Sequence, residues 1–506
     1  MKVLLVGYGG REHALAIMAR NSPMNPKISA VMDKLNPGIK RVVEESGGRT
    51  YIAKTTNPSD VVCVAERENP DLVVIGPEEP IFSGVVDALE ERGFLVYGPK
   101  SRLGLIEKSK AYARELMWKY GIPGRLRYAA FRDVGEALKY ASLAGDVVVK
   151  PARQAGGHGV RIFAEPVEHL RGITRDAIAE HIVKVARIVD EKYGDLDYKV
   201  VVEERVEGVE YTLMAITDGD TVLGLPLVQD HPHLFEGDVG PETGGMGAIA
   251  GPNYTLPFID DEEYMETIDI LKKTIDALKR ETGERYRGTI SGQMMLTALW
   301  GPTVIEYYAR FGDPEIAALI PLIESDFLEL LLRAAEGRLA GAKLRIRDGV
   351  YVVVKAVAPK GYPENRGLAK GHPVQFNLDA VLREKCLMLV AGVEEKNGVF
   401  YSTGSRLVEV VCASTQGYED ASRRADKAIV SGIKLADGHP IVWRRDIGSR
   451  WLIEKRIELA KTVRQAYRKR KRGGVVVYDW VPGKGLIVYD YSSQRSPQLI
   501  PYNSKF

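Results

Sequence analysis

Cysteine is rare in this sequence, with three residues in 506: Cys63, Cys386 and Cys412. Each lies in an apolar run far from the other two, and their spacing matches neither a zinc site nor a disulfide framework. Free thiols of this kind are typical of a reducing compartment. We therefore expect all three to be buried and unpaired.

Long apolar runs and a strong net charge are also lacking. No stretch approaches the ~20 apolar residues of a membrane-spanning helix, and the opening MKVLLVG is too short for a signal peptide. The formal net charge of +2 gives no global attraction for nucleic acid or for a membrane. With 45% hydrophobic and 27% charged residues, the composition is that of a globular protein, which we expect to be cytoplasmic.

The pattern of apolar segments predicts several domains, because 506 residues are too many for one core. In residues 1–103, the strands MKVLLVG, ISAVMD, PDLVVIG and FLVYG alternate with helices, which predicts a doubly wound α/β domain. A second α/β domain is predicted at 104–330, and its segment 124–195 carries strands of its own. A small β-rich domain at 331–452 and an extension at 453–506 follow.

The first glycine turn lies in VGYGGREHA, between a strand and a helix. The backbone N–H groups at such a turn point towards an anion, and Gly7, Gly9 and Gly10 would allow a close approach. Asp33, about 20 residues further on, would suit a dinucleotide such as NAD. However, Glu12 stands where that fingerprint has its third small residue. We favour a small phosphate-bearing substrate over NAD, and over a turn with a purely structural role.

A second glycine-rich stretch, VVVKPARQAGGHGVRIF, reads as strand, loop and strand. Lys150 ends the first strand, and the glycines that follow would let the backbone approach a polyphosphate, although glycine hairpins are common. The next strand contains Glu203, which could offer its carboxylate to a ribose.

The segment 229–248, QDHPHLFEGDVGPETGGMGA, is predicted to be a long loop that folds over a substrate. It contains Asp230, His231, Asp238, Glu242 and Thr243. The HPH pair could suggest a metal site, but no further ligands follow at a usable spacing.

A glutamate, a tyrosine and an arginine alternate in VIEYYARFGDPE. Glu306, Tyr308 and Arg310 should share one face of a strand, and Gln293 on a neighbouring strand could face the same cavity. A glutamate inside a strand is costly to bury unpaired. Glu306 is therefore either a magnesium ligand beside an anion-binding Arg310, or a partner of Arg310 in a salt bridge.

Taken together, these segments resemble the phosphoribosylamine–glycine ligase family of the ATP-grasp superfamily. The resemblance runs from residue 1 to about 450 and includes GGREHALA, GPEEPIFSGVVDAL, EKSKAYAR, GDVGPETGGMGA, RFGDPE and RRDIG. It implies an N-terminal pre-ATP-grasp domain, an ATP-grasp core with a mobile lid at about 124–195, and a C-terminal domain. The implied reaction joins glycine to 5-phosphoribosylamine through glycyl phosphate, with consumption of ATP and with Mg²⁺ or Mn²⁺ as the metal.

The resemblance also implies roles for individual residues. Lys110 and Lys150 would contact ATP, and Glu306 would hold the metal, with Gln293 and the position of Tyr308 as further candidates. Arg310, Asp313 and Asp238 would be catalytic. The remaining ATP-binding positions would be Gly156, Gly157, Gly159, Glu203, Arg205, Val206 and Glu210. The substrate-binding positions would be Gly9 and Gly10, which would receive the ribose phosphate, and Asp230, Gly240, Thr243, Gly244, Gly245 and Met246.

The sequence departs from the family pattern at several positions. Tyr308 stands where the family usually has asparagine, and a neutral phenol is a poor Mg²⁺ ligand. His158 replaces a lid lysine, and Pro232 with His233 replaces a basic pair. Three interpretations follow: a working ligase of this family, an ATP-grasp ligase for another carboxylate and amine, or a catalytically weak nucleotide-binding relative that acts by interaction.

The extension lies beyond the resemblance. Its basic helix, predicted at 454–472, is either a solvated or subunit-covering helix, or an appendage that binds RNA or polyphosphate. A hairpin is predicted around PGKG. Apart from this tail we expect no nucleic-acid partner, and the protein is expected to be a monomer or a homodimer.

Overall fold

The computed structural model describes residues 1–143, 147–153, 160–163, 175–473, 476–481, 485–490 and 498–501. The chain forms two compact units, each assembled from three segments. Unit 1 comprises Met1–Gly104, Glu210–Gln293 and Tyr308–Glu458, and unit 2 comprises Leu105–Val209, Met294–Tyr307 and Leu459–Phe506. Within the described ranges, none of the helices is long and apolar enough to cross a membrane.

Unit 1 begins with the predicted parallel sheet, which is confirmed. The strand order is Thr50–Ile52, Lys27–Met32, Lys2–Val6, Leu72–Ile75 and Val96–Tyr97. Residues 3–6 are all buried, as expected for a parallel strand covered on both faces. The helices of this layer are Gly10–Arg20, Pro37–Glu45, Pro58–Glu68, Glu78–Phe82 and Val85–Glu91.

A second, antiparallel sheet of unit 1 joins strands from distant parts of the chain. Neighbouring strands in it are, in order, Gly208–Thr217, Val228–Asp230, Gly247–Ala250, Tyr351–Pro359, Val408–Ser414 and Cys386–Val390. Gly247–Ala250 pairs directly with Tyr351–Pro359. The segment predicted as a β-rich domain therefore shares this sheet with residues that precede it by a hundred positions.

The other elements of unit 1 surround these sheets. The remaining helices are Asp261–Thr282, Glu315–Leu319, Phe327–Ala335, Leu378–Arg383 and Tyr418–Gly432. The remaining strands are Val222–Gly224, His233–Phe235, Val239–Glu242, Gly288–Thr297, Lys370–Phe376, Val393–Lys396, Val399–Thr403, Ile433–Leu435 and Ile441–Val442.

Unit 2 contains a four-stranded antiparallel sheet in the order Tyr128–Phe131, Val200–Glu204, Val147–Pro151 and Arg161–Phe163. Phe131, Phe163 and Ile182 are among the buried residues that join this sheet to helices Val134–Leu143 and Arg175–Lys192. The predicted strands DVVVKP, VRIFA and KVVVEERV are confirmed over Val147–Pro151, Arg161–Phe163 and Val200–Glu204. The strand Gly301–Tyr308 and the helices Ser101–Lys108 and Lys110–Lys119 also contribute residues to this unit.

The helix predicted over 107–121 is broken at Ser109. Ser109 is extended, with φ −119° and ψ 108°, and its hydroxyl accepts a hydrogen bond from the Tyr112 N–H at 3.2 Å. The hydroxyl thereby caps the helix Lys110–Lys119. Neither proline nor glycine marks this break, so apolar periodicity alone could not reveal it.

The extension begins with helix Arg450–Gly473, four residues earlier than predicted. The predicted hairpin is confirmed as Val476–Val481 paired with Gly485–Asp490, and Gln498–Pro501 adds a third strand that was not predicted. The ring of Tyr467 lies against Gly301, where a Cβ would be 2.4 Å from Tyr467 Cζ. One face of the helix thus packs inside unit 2, while residues 468–471 are exposed.

The expectation of three buried free thiols is wrong. Cys386 and Cys412 are directly opposite each other on paired strands of unit 1 and form a disulfide, and Cys63 is exposed. The two bonded residues are 26 positions apart, and only the strand register brings their Cα atoms to 4.5 Å. The spacing rules for compact disulfide frameworks do not capture such a cross-strand pair.

Cys412→Ser should lower the free energy of unfolding by about 3–4 kcal/mol, because the bond closes a loop across 26 positions in the unfolded chain. Chemical denaturation without reductant measures this, with Cys63→Ser as the matched control of unchanged stability. Three titratable thiols in the unreduced, denatured wild type would contradict the disulfide, whereas one is expected.

Candidate functional site

The glycine turn after the first strand of unit 1 is closed by carboxylates. The Gly9 N–H donates to Glu12 Oε2 at 2.5 Å, and the Arg11 N–H donates to Asp313 Oδ2 at 3.3 Å. Glu12 does not hold the helix away from the sheet, as its size suggested, because Gly7 makes room for it: a Cβ on residue 7 would lie 2.7 Å from Glu12 Cγ. The N–H of Gly9, which was expected to receive a phosphate, is therefore already engaged within the chain, as is the neighbouring N–H of Arg11.

Two arginines converge on Glu78 beside this turn. Arg310 Nε lies 3.3 Å and Arg11 Nη2 lies 3.7 Å from Glu78 Oε2. Burial alone would raise the pKa of Glu78, but Arg310 and Arg11 outweigh it and hold that pKa below its ordinary value. The Arg310 guanidinium also covers the ring of Tyr308 at 4.4 Å, a cation–π contact.

The segment predicted as a long loop is a hairpin. His233–Phe235 pairs with Val239–Glu242, and sheet strands continue on either side, at Val228–Asp230 and Gly247–Ala250. Alternation between apolar and polar residues is too weak here to reveal such short strands. Asp238 lies at the turn with φ +60°, a left-handed conformation that is uncommon outside glycine.

Asp238 is held by two arginines from the end of unit 1. Arg444 Nη1 donates to Asp238 Oδ1 at 2.8 Å, and Arg456 Nη2 donates to Oδ2. Burial would raise the pKa of Asp238, but His231, Arg456 and Arg444 keep it well below its ordinary value. His231 is buried, with Nδ1 3.7 Å from Asp238. Among the described residues no cluster of three or more His, Cys, Asp or Glu could hold a metal, so the HPH metal interpretation gains no support.

Arg406 joins the hairpin segment to the RFGDPE turn. Its Nη1 donates to the carbonyls of Gly244 at 2.8 Å, Gly245 at 2.9 Å and Asp313 at 3.1 Å, and its Nη2 donates to Asp313 Oδ1 at 2.5 Å. The Gly244 N–H also donates to the Tyr362 hydroxyl at 3.0 Å. The sequence prediction missed Arg406, because a single arginine in TGSRLVEV gives no local signal of contacts this distant.

The predicted substrate residues Thr243 and Met246 are buried in the same segment of unit 1. The Thr243 hydroxyl donates to the Pro232 carbonyl at 2.7 Å, and a Cβ at Gly245 would lie 2.6 Å from Asp230 Oδ1. Burial, and then Glu315, raise the pKa of Asp230 well above its ordinary value. Gly240 lies under the ring of Phe235, in the hairpin itself.

A buried ion cluster in unit 2 contains two of the predicted ATP-binding residues. Glu203 is 2% exposed and accepts from Arg114 Nε at 2.7 Å, and it lies 2.9 Å from Lys150 Nζ. Arg114 also donates to the carbonyls of Val304 and Ile305, at 2.8 Å each. Despite burial, Arg114 and Lys150 lower the pKa of Glu203 to about 2. The Glu203 carboxylate is thus engaged by two cations of its own unit, and its contact with a ribose stays a prediction.

Glu306 lies beside this cluster. Its carboxylate is 3.4 Å from Lys110 Nζ, and both side chains line a small crevice together with Arg114 and Glu203. Burial would raise the pKa of Glu306, but Lys110 and Lys150 keep it below its ordinary value. Glu306 pairs with Lys110, and Arg310 pairs with Glu78. Each charge therefore has a partner of its own, and neither requires a salt bridge between Glu306 and Arg310.

The remaining predicted residues have other neighbours. Gln293 Oε1 accepts from the Thr212 hydroxyl at 2.7 Å, the Glu210 carbonyl accepts from the Gln229 amide at 3.2 Å, and Arg205 pairs with Glu207. Val206 is partly buried. Gly156, Gly157, His158 and Gly159 lie outside the described residues.

Family models match three consecutive segments of the chain. They are the N domain of phosphoribosylglycinamide synthetase at 1–107, its ATP-grasp (A) domain at 108–316, and its C domain at 352–450. The chain belongs to the phosphoribosylglycinamide synthetase family. The predicted family, the three-domain α/β fold with an ATP-grasp core and the ligase class are thereby confirmed.

Curated relatives extend this family assignment over most of the chain. A phosphoribosylamine–glycine ligase of Methanopyrus kandleri is 40% identical over 471 residues, which is 92% of this chain and 99% of the relative. One from Methanocaldococcus jannaschii is 39% identical over 92% of this chain and 100% of its own length. The crystal structure of the Thermotoga maritima phosphoribosylamine–glycine ligase is 27% identical, covers 88% of this chain and 100% of its own, and superposes with a TM-score of 0.66.

Proposed function

We propose that this chain joins glycine to 5-phosphoribosylamine at the expense of ATP, giving glycinamide ribonucleotide, ADP and phosphate for purine biosynthesis. The relatives that bear the corresponding name match nearly their full length, which supports this substrate pair. The geometric observation that carries the proposal is the Arg406 clamp, which joins the glycine-rich substrate segment to Asp313.

The proposed chemistry needs no protein nucleophile. A carboxylate oxygen of glycine attacks the γ-phosphorus of ATP, the bond from that phosphorus to the β,γ-bridging oxygen breaks, and ADP leaves. The amine of phosphoribosylamine then attacks the carbonyl carbon of glycyl phosphate, and phosphate leaves with the C–O bonding electrons. The proton lost by nitrogen goes to the departing phosphate or to water. Such transfers depend on positioning and charge neutralisation.

Lys110 and Lys150 are the cations of unit 2 that we assign to the ATP phosphates. Glu203, which also pairs with Arg114, holds Lys150 in place, because the shared ion cluster fixes its ammonium group in a buried position. Arg205 and Val206, which follow the same strand, are assigned to the adenine side, and Glu210 to the ribose.

Glu306 is the residue that would hold Mg²⁺ or Mn²⁺. Its carboxylate is ionised and only 14% exposed, and Mg²⁺ is commonly bound by one or two carboxylates together with substrate phosphates and water. When bound, the metal would neutralise charge on the phosphoryl group that is transferred. Tyr308 fits the metal poorly, and its contact with Arg310 gives it another role: its ring fixes the direction of an arginine that orients an anionic substrate.

Asp238, Arg310 and Asp313 are the residues of unit 1 that we assign to substrate positioning. We keep the boundaries 1–103, 104–330 with a lid at about 124–195, 331–452 and 453–506 as our proposed domain division. A cytoplasmic location, a monomer or homodimer, and the absence of nucleic-acid partners other than through the basic tail remain part of the proposal.

Release of phosphate from ATP should require glycine and freshly generated phosphoribosylamine together. Glu306→Ala should lower the rate by about 10²-fold or more, because the carboxylate that would hold the metal is lost, and with it the metal's neutralisation of charge on the transferred phosphoryl group. Glu207→Ala, whose side chain is 72% exposed, is the matched control of unchanged rate. Turnover with another carboxylate and amine would favour a different ligase, and tight ATP binding without turnover would favour a catalytically weak relative.

A further inference from the structure

Glu409 is a buried carboxyl group that the proposed chemistry leaves unexplained. It lies on Val408–Ser414, between Tyr351–Pro359 and Cys386–Val390 in the second sheet of unit 1, and it is 0% exposed. A Cβ at Gly10 would be 2.7 Å from Glu409 Oε1. The carboxyl group therefore lies directly beneath the first residue of the N-terminal helix, with no room to turn towards water.

The charges around Glu409 do not balance. Arg406 Nη1 is 4.0 Å from Glu409 Oε1, but the same guanidinium is already paired with Asp313 at 2.5 Å. Glu315, which is 5% exposed, is a third acid facing this space. Arg11 donates its backbone N–H to Asp313 and adds the charge of its guanidinium, but that guanidinium is already paired with Glu12 and Glu78. The guanidinium of Arg406 thus lies beside two carboxyl groups, Asp313 and Glu409. Because an uncompensated buried charge is costly, this arrangement disfavours the ionisation of both at the same time.

Glu409 also lacks hydrogen-bond donors. Within the described part of the chain, no donor group reaches Glu409 Oε1 or Oε2. An ionised carboxylate would need several such donors, whereas a protonated one needs an acceptor for its own O–H. Asp313 is the acid beside it, and its ionised form is stabilised by Arg406.

We propose that Glu409 is a positioning residue that remains protonated in the working enzyme and donates a hydrogen bond from its carboxyl O–H to the carboxylate of Asp313. The inference rests on the proposed function, in which Asp313 orients a substrate. Burial, and then Asp313, raise the pKa of Glu409 well above its ordinary value of 4.5, in agreement with the charge balance. Glu409 thereby fixes the carboxylate that Arg406 connects to Gly244 and Gly245.

The isosteric change Glu409→Gln tests this directly, because an amide donates a hydrogen bond at every pH. Near neutral pH, Glu409→Gln should keep the wild-type kcat/KM. Glu409→Leu, which has no donor, should lose about tenfold, the change expected for one hydrogen bond. In alkaline solution the wild type should lose kcat/KM as Glu409 ionises, and Glu409→Gln should lack that loss.

Stability provides a readout that does not depend on the reaction. Because the pKa of Glu409 is raised in the folded state, its stabilising contribution is complete below the ordinary value of 4.5 and decreases as pH rises towards the folded-state pKa. The wild type should therefore become progressively less stable than Glu409→Gln over that interval. The free energy of unfolding of Glu409→Leu, measured in the same way, shows whether its loss of kcat/KM comes merely from unfolding.

Two results would overturn the inference. One is a pH dependence of stability that is identical in the wild type and Glu409→Gln. The other is a loss of kcat/KM in Glu409→Gln as large as in Glu409→Leu, which would mean that the ionised carboxylate is required. If the wild type shows no ligase activity at all, the proposed function fails, while the stability comparison still decides the protonation of Glu409.

Discussion

Glu203→Ala should lower the free energy of unfolding by about 3–5 kcal/mol, because it leaves Arg114 and Lys150 buried without their shared counter-ion. Both cations are less than 9% exposed, so water cannot replace the carboxylate. Chemical denaturation monitored by circular dichroism measures the change. Glu203→Gln should be nearly as damaging, since an amide keeps the volume but not the charge.

The matched control is Glu207→Ala, four positions along the chain from Glu203. It removes an exposed partner of Arg205. Exposed ion pairs contribute little, so its stability should stay within about 0.5 kcal/mol of the wild type. If both variants were equally stable, the buried ion cluster would not be what holds this part of unit 2 together.

The same cluster predicts how stability depends on acid. The pKa of Glu203 is lowered to about 2 in the folded chain, from an ordinary value of 4.5. A lowered pKa means that the contribution is complete above 4.5 and is lost as pH falls from there through about 2. The free energy of unfolding of Glu203→Ala should therefore lie furthest below that of the wild type near neutral pH, and this difference should shrink in strong acid.

Arg406→Ala should lower kcat/KM by about 10²-fold, because it releases the Gly244–Gly245 carbonyls and Asp313 at once, and small displacements of substrate-positioning groups have effects of this size. Steady-state kinetics with glycine and phosphoribosylamine varied in turn measures it. Glycine and phosphoribosylamine should both bind or react less well, whereas the affinity for ATP should change little.

Arg406→Lys separates charge from geometry. Lysine keeps a positive charge beside Asp313 but cannot reach the carbonyls and the carboxylate with one planar fork. It should therefore recover little of the activity that Arg406→Ala loses. Full activity in Arg406→Lys would show that charge alone matters, and that the clamp is not what organises the substrate segment.

The sequence was most informative where local pattern determines structure. Alternating strands and helices predict the parallel sheet. Glu306 stands out because glutamate is unusual inside a strand, Lys150 and Glu203 because they lie on strands beside a glycine-rich loop, and Lys110 through the family resemblance. In unit 2, Lys110, Glu203 and Glu306 line one crevice, and Lys150 Nζ lies 2.9 Å from the Glu203 carboxylate. The pairing of these residues could not be predicted, because nothing in their spacing shows that Glu203 forms an ion pair with Lys150 and Arg114.

Long-range register explains the main errors. Cys386 and Cys412 pair because two strands align them, and Arg406 reaches Gly244 across 162 positions of sequence. The hairpin at 233–242 was predicted as a loop, since its two strands have three and four residues. The disulfide and the Arg406 contacts depend on which strands are neighbours in the second sheet, and apolar periodicity contains no information about that. The hairpin is a separate two-stranded sheet, and its strands are too short for periodicity to reveal them.

The most direct test of the proposed reaction follows the oxygen atoms of glycine. With glycine labelled in its carboxylate by ¹⁸O, the proposed route through glycyl phosphate should transfer one labelled oxygen to each phosphate released. Phosphate analysed by mass spectrometry after a phosphoribosylamine-dependent turnover gives the answer. Phosphate without label, in a reaction that still consumes ATP and glycine, would contradict activation of the glycine carboxylate and with it the central claim.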